Sequence, residues 1–524
     1  MRWLLLCSLT ACGGADRVLG DTSEDLAETT PTSTGGSTST GQTGTGSGTT
    51  GSGTGGTTPA DTAVLDTGGQ PSQADILSMY SVPGPLSGLT RRLEVELSQP
   101  APIDVDCTTA DSPQEHIHLR SPAARSHVVD VAGLLADTEW SCTAATASDT
   151  ADIALRIDPL PEDFPQWTVE TDGTPWGAYT LVHYWSHKDA SVQSRAIVVD
   201  PEGRPRWFLD HLHRAEAGVE VKWLGEQLLI AGGGAQDHGV APTLVNLAGE
   251  VQFAFPEFAE GGGIWHHDAI VLPDGAILGV ATSDNVDLSG APFTGLRLEA
   301  RHPDTGELTW TWDSQAAVDA AILPGRDPHG NAIQYVEDDD GPSLWVSGKL
   351  IDGVFRIAYP SGEVTWRMGA GADFALFDAA GESLDGSAWF FGQHAIEREG
   401  DRLLLYDNGV RAPIPEEDRT SRALELQLDL EARTATVVWE YTEPLWLEPN
   451  WGDADRLPNG NRLLGIGHCW SCDGVGEGRS RIIEVTPEGH SVWRLTFHGR
   501  KDALYRADRL DGCALFGNRR YCEG

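Results

Sequence analysis

The stretch Arg195-Ala-Ile-Val-Val-Asp-Pro-Glu-Gly-Arg-Pro-Arg-Trp207 joins an apolar run to a glycine turn, with an aromatic residue four positions after the glycine. This pattern is typical of a β-hairpin. Hairpins of the same form recur at intervals of 46 to 73 residues, and one of them lacks the glycine. Their aromatic residues are Trp207, Phe253, Trp310, Trp366, Trp439 and Trp493. Near-periodic β units of this size predict an all-β fold, a six-bladed β-propeller.

A second β segment precedes the propeller. Residues 73–160 contain runs in which apolar and polar residues alternate, such as Leu93-Glu-Val-Glu-Leu97 and Ile153-Ala-Leu-Arg-Ile157. Alternation of this kind is typical of strands with one buried face. The sequence therefore predicts a small β-sandwich, similar to immunoglobulin or fibronectin type III domains, at 73–160 and the propeller at 161–524.

The first residues have the features of an export signal. Met1-Arg2 carries positive charge, a short apolar run follows, and Leu9-Thr-Ala-Cys12 matches a lipoprotein cleavage site. We expect a signal peptide at 1–11 and a lipid on Cys12; an ordinary cleaved signal and a misplaced start are the alternatives. Since Gly13 replaces the Asp that retains lipoproteins at the inner membrane, we expect an exported protein anchored to the outer membrane, periplasmic or at the cell surface.

Residues 12–72 differ in composition from the rest of the chain. They are rich in Thr, Gly and Ser and contain few apolar residues. Such a segment cannot bury enough apolar surface to fold, so we predict a disordered tether between the anchor and the folded part.

The formal net charge of −42 limits the partners of the protein. Nucleic-acid binding requires clustered Lys and Arg, so we exclude that function class. An anionic substrate would be repelled at long range, and its site would need local positive charge. The chain has four lysines, so a lysine near a candidate site is informative: Lys188, Lys222, Lys349 and Lys501.

The cysteine content fits an oxidising compartment. Cys107 and Cys142 fall within the predicted sandwich, and we expect them to form a disulfide. We also expect disulfides among four cysteines in the C-terminal part, although which of them pair stays open: Cys469, Cys472, Cys513 and Cys522. A zinc site is the alternative for the Cys-x-x-Cys pair, although the other two cysteines lack matching spacing.

Histidines precede three predicted strands at spacings of 62 and 65 residues, about one blade each. The stretches are Trp265-His-His-Asp268, Asp327-Pro-His-Gly-Asn331 and Gly392-Gln-His394. Because blades repeat around one axis, we expect His267, His329 and His394 at one repeat position near the central channel. One buried histidine is usually structural, but three at the same position predict a shared polar pocket.

These stretches, together with several others, resemble bacterial arylsulfate sulfotransferases, the exported type that uses aryl sulfate esters instead of a nucleotide donor. The resemblance spans about 160–520. It rests on His266-His-Asp268, His329-Gly-Asn331, Gln393-His394, Leu405-Tyr-Asp-Asn-Gly409, Ser421-Arg-Ala-Leu-Glu-Leu426, Trp439-Glu-Tyr441, Leu457-Pro-Asn-Gly-Asn461 and Tyr505-Arg506. A six-bladed propeller after a β-sandwich is also the fold that the resemblance implies.

The resemblance implies a ping-pong reaction in which a histidine attacks sulfur and carries the sulfuryl group covalently. By motif this residue is His394. His329 and Asn331 are implied to hold sulfuryl oxygens, while His267 matches the remaining active-site histidine and His266 lies beside it among the substrate-binding residues. The implied partners are an aryl sulfate and a phenol, and the chemistry requires no metal or organic cofactor.

One position departs from the family pattern. The family uses an arginine in a Ser-x-Arg strand, and the matching stretch here is Ser347-Gly-Lys349. Lys349 keeps the positive charge but loses the planar fork that suits an oxyanion. We therefore expect a lower activity or a different donor.

Two other functions fit the same sequence. One is a non-catalytic propeller lipoprotein that binds a ligand or partner at the cell surface. The other is a transferase or hydrolase that acts on a different anionic ester, since propellers host many activities. The three histidines favour an enzyme over a binding protein.

Lipidation of Cys12 can be tested by expressing the full chain in a Gram-negative host. We expect the wild-type protein in the membrane fraction and the Cys12→Ser variant in the soluble fraction, because only the former has the acceptor thiol. Equal solubility of the two proteins would remove the lipid anchor from this account.

Overall fold

The computed structural model describes residues 73–84, 86–186, 193–210, 219–232, 239–444, 446–467, 479–499, 502–510, 515–518 and 520. The chain divides into two units, and all described residues belong to the second, Gln70–Gly524. Several predicted features therefore lie outside the described residues: the signal peptide, Cys12, the whole tether, Cys469, Cys472, Cys513 and Cys522.

The N-terminal part of the described chain is one five-stranded sheet. Its central strand, Arg91–Thr109, pairs with His116–Val131 on one edge and with two shorter strands on the other. The register of the long pair shifts between Glu96 and Ala101, which divides it into two halves. The remaining strands are Ile76–Pro83, Glu139–Ala145 and Thr150–Arg156. The sandwich and its limits at 73 and 160 stay predictions.

Cys107 and Cys142 confirm the predicted disulfide. They are directly opposite each other on Arg91–Thr109 and Glu139–Ala145, and their sulfur atoms are bonded. Both are fully buried in the apolar core of this sheet. The cross-link thus joins two strands that are separated by 35 residues of chain.

Six further sheets of four or five strands make up the rest of the described chain. In spatial order, sheet 1 contains Asp502–Leu510, Tyr179–Ser186, Gln193–Val199, Pro205–Asp210 and Ser87–Gly88, and sheet 2 contains Val219–Trp223, Gln227–Gly232, Val240–Asn246 and Val251–Ala254. Sheet 3 contains Trp265–Val271, Ile277–Val286, Pro292–Arg301 and Leu308–Asp313, and sheet 4 contains Gly330–Asp338, Gly341–Gly348, Gly353–Ala358 and Val364–Gly369. Sheet 5 contains His394–Glu399, Arg402–Asp407, Arg422–Asp429, Thr434–Tyr441 and Ala375–Phe377, and sheet 6 contains Asp453–Arg456, Arg462–Ile466, Arg481–Val485, Ser491–Phe497 and Trp167–Thr171.

Helical structure is scarce in the described part of the chain, which confirms the all-β prediction. It comprises one short α-helix, Gln315–Asp319, and the 3-10 turns Glu260–Gly262, Lys349–Ile351, Gly386–Ala388, Glu416–Asp418 and Leu515–Gly517. None of the helices described here has the length and hydropathy needed to cross a membrane.

The six recurring aromatic residues all lie on the fourth strand of their sheets, as the hairpin pattern predicts. The five turn glycines have φ between 70° and 86°, a conformation that other residues rarely adopt. Four of the indoles donate Nε1–H to a carbonyl in the outer turn of the following sheet, at 2.8–3.0 Å: Trp207 to Leu247, Trp310 to Pro360, Trp439 to Pro487 and Trp493 to Pro201. The last of these bonds runs from sheet 6 back to sheet 1.

One edge strand of each sheet also bonds to the next sheet through polar side chains. We call these six the linking strands: Asp502–Leu510, Val219–Trp223, Trp265–Val271, Gly330–Asp338, His394–Glu399 and Asp453–Arg456, for sheets 1 to 6. In four pairs of consecutive linking strands, a side chain of one strand bonds to the backbone of the next: Asp268 to Ile333, Gln334 to Arg398, Glu397 to Arg456 and Asp453 to Ala507. In the other two pairs, side chains of the two strands form ion pairs: Arg506 with Glu220, and Lys222 with Asp268.

Glu115 joins the N-terminal sheet to sheet 1 and to the C-terminal residues. Its fully buried carboxylate accepts hydrogen bonds from Arg206, Asn518 and Arg520 at 2.6–2.8 Å. Although burial raises the pKa of Glu115, these bonds outweigh it and hold the pKa at about 2. Arg206 is itself fully buried and takes its counter-charge from two carboxylates, Glu115 at 2.8 Å and Asp200 at 3.3 Å.

Replacing Glu115 with Gln should lower the free energy of unfolding by about 3–5 kcal/mol, because the buried guanidinium of Arg206 loses the nearer of its two carboxylates. The wild-type carboxylate adds stability above about pH 4.5, and this stability is lost as the pH falls towards about 2. Urea unfolding should therefore show a weaker pH dependence in this range for Glu115→Gln. The exposed Glu139→Gln is the control, with an expected change within about 0.5 kcal/mol. Equal stability of Glu115→Gln and wild type would contradict the assignment.

Candidate active site

The linking strands of sheets 3, 4 and 5 carry histidines where each strand begins. The backbone bulges at these points, with φ of 62° at His267, 50° at His329 and 44° at Ala395, the residue after His394. Non-glycine residues rarely adopt these values. Backbone strain of this kind is concentrated at functional sites, which makes this end of the strands the place to look for one.

The pairing register corrects one prediction. After each bulge, regular pairing resumes at Ala269, Ala332 and Ile396. His267 lies two residues before Ala269, and His394 lies two residues before Ile396. The residue two positions before Ala332 is Gly330, so His329 lies one residue earlier than the repeat requires. The prediction of one common repeat position is thus wrong for His329. Its ring reaches the same pocket because the left-handed backbone changes the direction of the chain there.

The four imidazole rings lie together. The ring centre of His267 is 4.9 Å from that of His266, 4.7 Å from that of His329 and 6.3 Å from that of His394. The Nδ1 atoms of His266 and His267 are 2.7 Å apart, so one of the two donates a hydrogen bond to the other. Residues from three separate sheets therefore form one pocket.

Burial keeps three of these imidazoles neutral. His266, His267 and His394 are between 1% and 8% exposed, whereas the side chain of His329 is 23% exposed. Burial and the charge of His329 lower the pKa of His266 to about 3. Burial and then neighbouring histidines lower the pKa of His267, and burial and then Lys349 lower that of His394, in both cases well below the usual range. Neutral imidazoles have a free lone pair, which nucleophilic attack requires.

Lys349 lies beside the histidines, although not on a strand. It begins the 3-10 turn Lys349–Ile351, directly after Gly341–Gly348, which corrects its predicted strand position. Its backbone N–H donates to the carbonyl of His329 at 3.2 Å. Its ammonium group donates to the carbonyls of Pro449 and Asn450 at 3.3 and 3.2 Å. The pocket thus contains the local positive charge that an anionic substrate needs.

Asn331 lies beneath the rings and is fully buried. Its Nδ2 donates to the carbonyl of Gln393 at 2.8 Å, which fixes the backbone just before His394. Its Oδ1 has no hydrogen-bond partner among the described residues. The hydroxyl of Tyr505 is likewise buried without a partner in the described part of the chain, and its ring centre is 6.4 Å from that of His267.

Asn408 contacts the opposite side of His394. Its Oδ1 is 3.0 Å from His394 Nδ1, and its Nδ2 donates to the carbonyls of Glu448 and Trp451 at 2.7 and 2.8 Å. Asn408 is fully buried. It therefore holds the ring of His394 in one orientation.

A layer of paired charges supports the pocket from below. Asp268 follows His267 in sequence and accepts from Lys222 Nζ at 2.5 Å, while Arg506 lies 3.2 Å from Glu220 and donates to the carbonyl of Asn331 at 2.7 Å. Burial opposes ionisation of Asp268, but the charges of Lys222 and Arg506 outweigh it and lower its pKa. These groups line a cavity of about 190 Å³. Because they are paired with one another, their role here is support.

Among the described residues, no group of His, Cys, Asp and Glu side chains has the geometry to hold a metal ion. The pocket instead combines neutral imidazoles, an ammonium group and buried amide and hydroxyl groups. Such a set can attack an electrophilic centre, stabilise negative oxygens and move a proton. It fits the transfer of an anionic group between two acceptors.

The sequence profile of the Arylsulfotransferase (ASST) family matches residues 175–506, more than half of the chain. The chain belongs to the arylsulfotransferase family. The matched region contains all the predicted catalytic and substrate-binding residues: His266, His267, His329, Asn331, Lys349 and His394. Membership supports sulfuryl transfer as the general activity, and no curated protein matches the chain.

Solved structures match this chain only distantly. A protein of unknown function from Bacteroides caccae is 15% identical, with a TM-score of 0.38, over 63% of this chain and 98% of that one. A quinonprotein alcohol dehydrogenase-like protein from Bacteroides thetaiotaomicron is 10% identical, with a TM-score of 0.29, over 80% of this chain and 94% of that one.

Three residues in or below the pocket have roles that the sequence alone does not predict: Asn408, Tyr505 and Lys222. The scarcity of lysine is a signal that could have drawn attention to Lys222. Asn408 and Tyr505 belong to stretches that resemble the family, but their contacts depend on chain segments far away in sequence. Only the fold brings those segments together.

The low pKa of His266 predicts that the stability of this protein depends on pH. Below about pH 6.5 the unfolded chain binds a proton at His266 that the folded chain excludes down to about pH 3, so stability is lost as the pH falls through this range. In urea unfolding, wild type should lose about 1.4 kcal/mol per pH unit more than His266→Gln. Replacement of the exposed His490 by Gln should leave the wild-type slope unchanged. Parallel slopes for His266→Gln and wild type would show that His266 titrates normally in the folded protein.

Proposed function

We propose that this protein transfers a sulfuryl group from an aryl sulfate ester to a phenol through a covalent intermediate on His394. The observation that carries the proposal is the convergence of buried, neutral imidazoles from three sheets around a lysine ammonium group. Family membership supplies the general reaction, and the pocket supplies a nucleophile with groups that can hold an anion.

In the first half-reaction, the lone pair of His394 attacks the sulfur atom of the aryl sulfate. A nitrogen–sulfur bond forms, the bond between sulfur and the aryl oxygen breaks, and its electron pair leaves with the phenolate. In the second half-reaction, the oxygen of an acceptor phenol attacks the same sulfur, and the electron pair of the nitrogen–sulfur bond returns to His394. Splitting the transfer in this way divides one difficult step into two easier ones.

The sulfuryl oxygens need positive charge and hydrogen bonds as they pass between the two partners. We assign this task to Lys349, His329 and Asn331, in line with the resemblance. The carbonyl oxygens of Pro449 and Asn450 hold the ammonium group of Lys349 in place. In a buried pocket, an ammonium group interacts with an anion more strongly than in water.

The phenolate that leaves needs a proton, and the phenol that enters must lose one. We assign both transfers to His329, because its side chain reaches solvent and its ring lies beside that of His267. A histidine in this position can exchange protons with water between the two half-reactions.

We also infer that sheets 1 to 6 close into a single six-bladed propeller, with the linking strands around its axis. The polar bonds from each linking strand to the next support this, as does the bond from Trp493 of sheet 6 to Pro201 of sheet 1. We further propose that a lipid on Cys12 anchors the protein to the bacterial outer membrane.

The covalent intermediate is tested by mass. After incubation with 4-nitrophenyl sulfate but no phenol, the intact wild-type protein should gain one sulfuryl group, which peptide mapping should place on His394. His394→Ala should lack the adduct and release no nitrophenol, whereas His490→Ala, at an exposed position, should behave as wild type. Turnover by His394→Ala at the wild-type rate would falsify the mechanism.

Lys349 is tested by two substitutions. Lys349→Arg should keep or raise kcat/KM for 4-nitrophenyl sulfate, because the guanidinium fork suits a tetrahedral oxyanion. Lys349→Met should lower kcat/KM roughly 10²–10³-fold, the effect of losing one donor to a developing oxyanion. If Lys349→Met retains the wild-type rate, the ammonium group does not contact the transferred group.

A further inference from the structure

We infer that Asn408 fixes which nitrogen of His394 carries the proton, so that Nε2 is the atom that attacks sulfur. Asn408 acts as a positioning residue, because it touches the nucleophile and not the substrate. The inference rests on the proposed function for its chemical meaning, but the position of the proton can be measured without any turnover.

The orientation of the Asn408 amide follows from its neighbours. Nδ2 lies 2.7 Å from the carbonyl oxygen of Glu448 and 2.8 Å from that of Trp451. Carbonyl oxygens only accept hydrogen bonds, so the NH₂ group must face them. The reverse orientation would place Oδ1 against two other oxygens in a site that is closed to water.

The protonation of His394 follows from this orientation. Oδ1 of Asn408 lies 3.0 Å from Nδ1 of His394 and can only accept, so Nδ1 carries the hydrogen. A neutral imidazole has one ring proton, and burial together with Lys349 keeps His394 neutral. Nε2 therefore has the free lone pair.

The hydrogen bond between Asn408 and His394 also stabilises the intermediate that forms after the attack. Once Nε2 bonds to sulfur while Nδ1 retains its proton, the ring of His394 carries a positive charge. Oδ1 of Asn408 then accepts a charge-assisted hydrogen bond, which is stronger than the bond to the neutral ring. The contact thus gains strength as the charge develops, as catalysis requires.

Residues 448–451 accept hydrogen bonds from both Asn408 and Lys349. Glu448 is fully buried, and its Oε1 accepts from the backbone N–H groups of Asn450 and Trp451 at 2.8 and 3.1 Å. This bends residues 448–451 so that the first and last carbonyls face Asn408, while the two middle carbonyls face the Lys349 ammonium group.

Ser421 fixes this segment to Asn408. The Glu448 N–H donates to Ser421 Oγ at 2.7 Å, and Ser421 Oγ donates to the backbone carbonyl of Asn408 at 2.8 Å. Residues 448–451 thus couple the position of the nucleophile to that of the positive charge.

The direct test is nitrogen NMR of the full-length protein labelled with ¹⁵N-histidine, with the His394 signals assigned by their loss in His394→Gln. We expect protonated Nδ1 and unprotonated Nε2 at neutral pH. In Asn408→Ala we expect both ring forms and a kcat lower by roughly 10–100-fold, with a smaller change in KM, because Asn408 does not touch the substrate.

Asn408→Asp separates this role from a purely structural one. The carboxylate loses the two hydrogen bonds to the carbonyls of Glu448 and Trp451, so the free energy of unfolding should fall. It can still accept from Nδ1, and its negative charge stabilises the protonated ring, so the acidic limb of the kcat/KM profile should also move to higher pH, which a loss of stability alone would not cause. Asn461→Ala is the matched control: Asn461 is also buried and donates through Nδ2, to Glu484, yet lies in the turn at the far end of the sheet 6 linking strand. It should lose stability and keep the wild-type pH profile.

The outcomes separate the two proposals. A proton on Nε2 of His394 in the wild-type protein would overturn the role of Asn408, whatever the reaction. An unchanged acidic limb in Asn408→Asp would overturn it as well. A protonated Nδ1 together with a protein that never gains a sulfuryl group would support the placement by Asn408 and refute the proposed function.

Discussion

The structure depends on hydrogen bonds between polar side chains of one linking strand and the backbone of the next. A linking strand is the edge of its sheet, so its outer N–H and C=O groups need partners that the sheet does not provide. Asp268, Gln334 and Asp453 provide them across the gaps between sheets. A buried backbone group without a partner costs about 1–3 kcal/mol, so these contacts also fix the register between neighbouring sheets. The geometry of the histidine pocket therefore depends on that register.

Electrostatics explains how a chain of net charge −42 can form a pocket for an anion. Below the pocket, Asp268 is paired with Lys222 and Glu220 with Arg506. Lys349 contacts the backbone carbonyl oxygens of Pro449 and Asn450, which carry no net charge. Burial and then the positive charge of Lys349 lower the pKa of His394 and so favour the nucleophilic form. The position of one lysine thus serves both the nucleophile and its substrate.

The sequence predicts the parts of this molecule that repeat or that lie close together along the chain. The glycine turns and following aromatic residues mark the outer hairpin of each sheet, because their φ angles and strand positions are local properties. The sequence places His329 at the wrong position of the repeat. A bulge shifts the strand pairing there by one residue, and the spacing between the three histidines along the chain does not reveal that shift. Asn408 and the segment 448–451 escape prediction because their contacts join residues about 40 positions apart. The fold is needed to see them.

The central claim, that His394 receives the sulfuryl group through Nε2, is tested most directly by a crystal structure of the protein soaked with an aryl sulfate in the absence of a phenol. The account predicts density for a sulfuryl group bonded to Nε2 of His394, with oxygens facing Lys349, His329 and Asn331, and with Nδ1 still in contact with Asn408. A sulfuryl group on another residue, or an intact aryl sulfate bound away from these histidines, would contradict it.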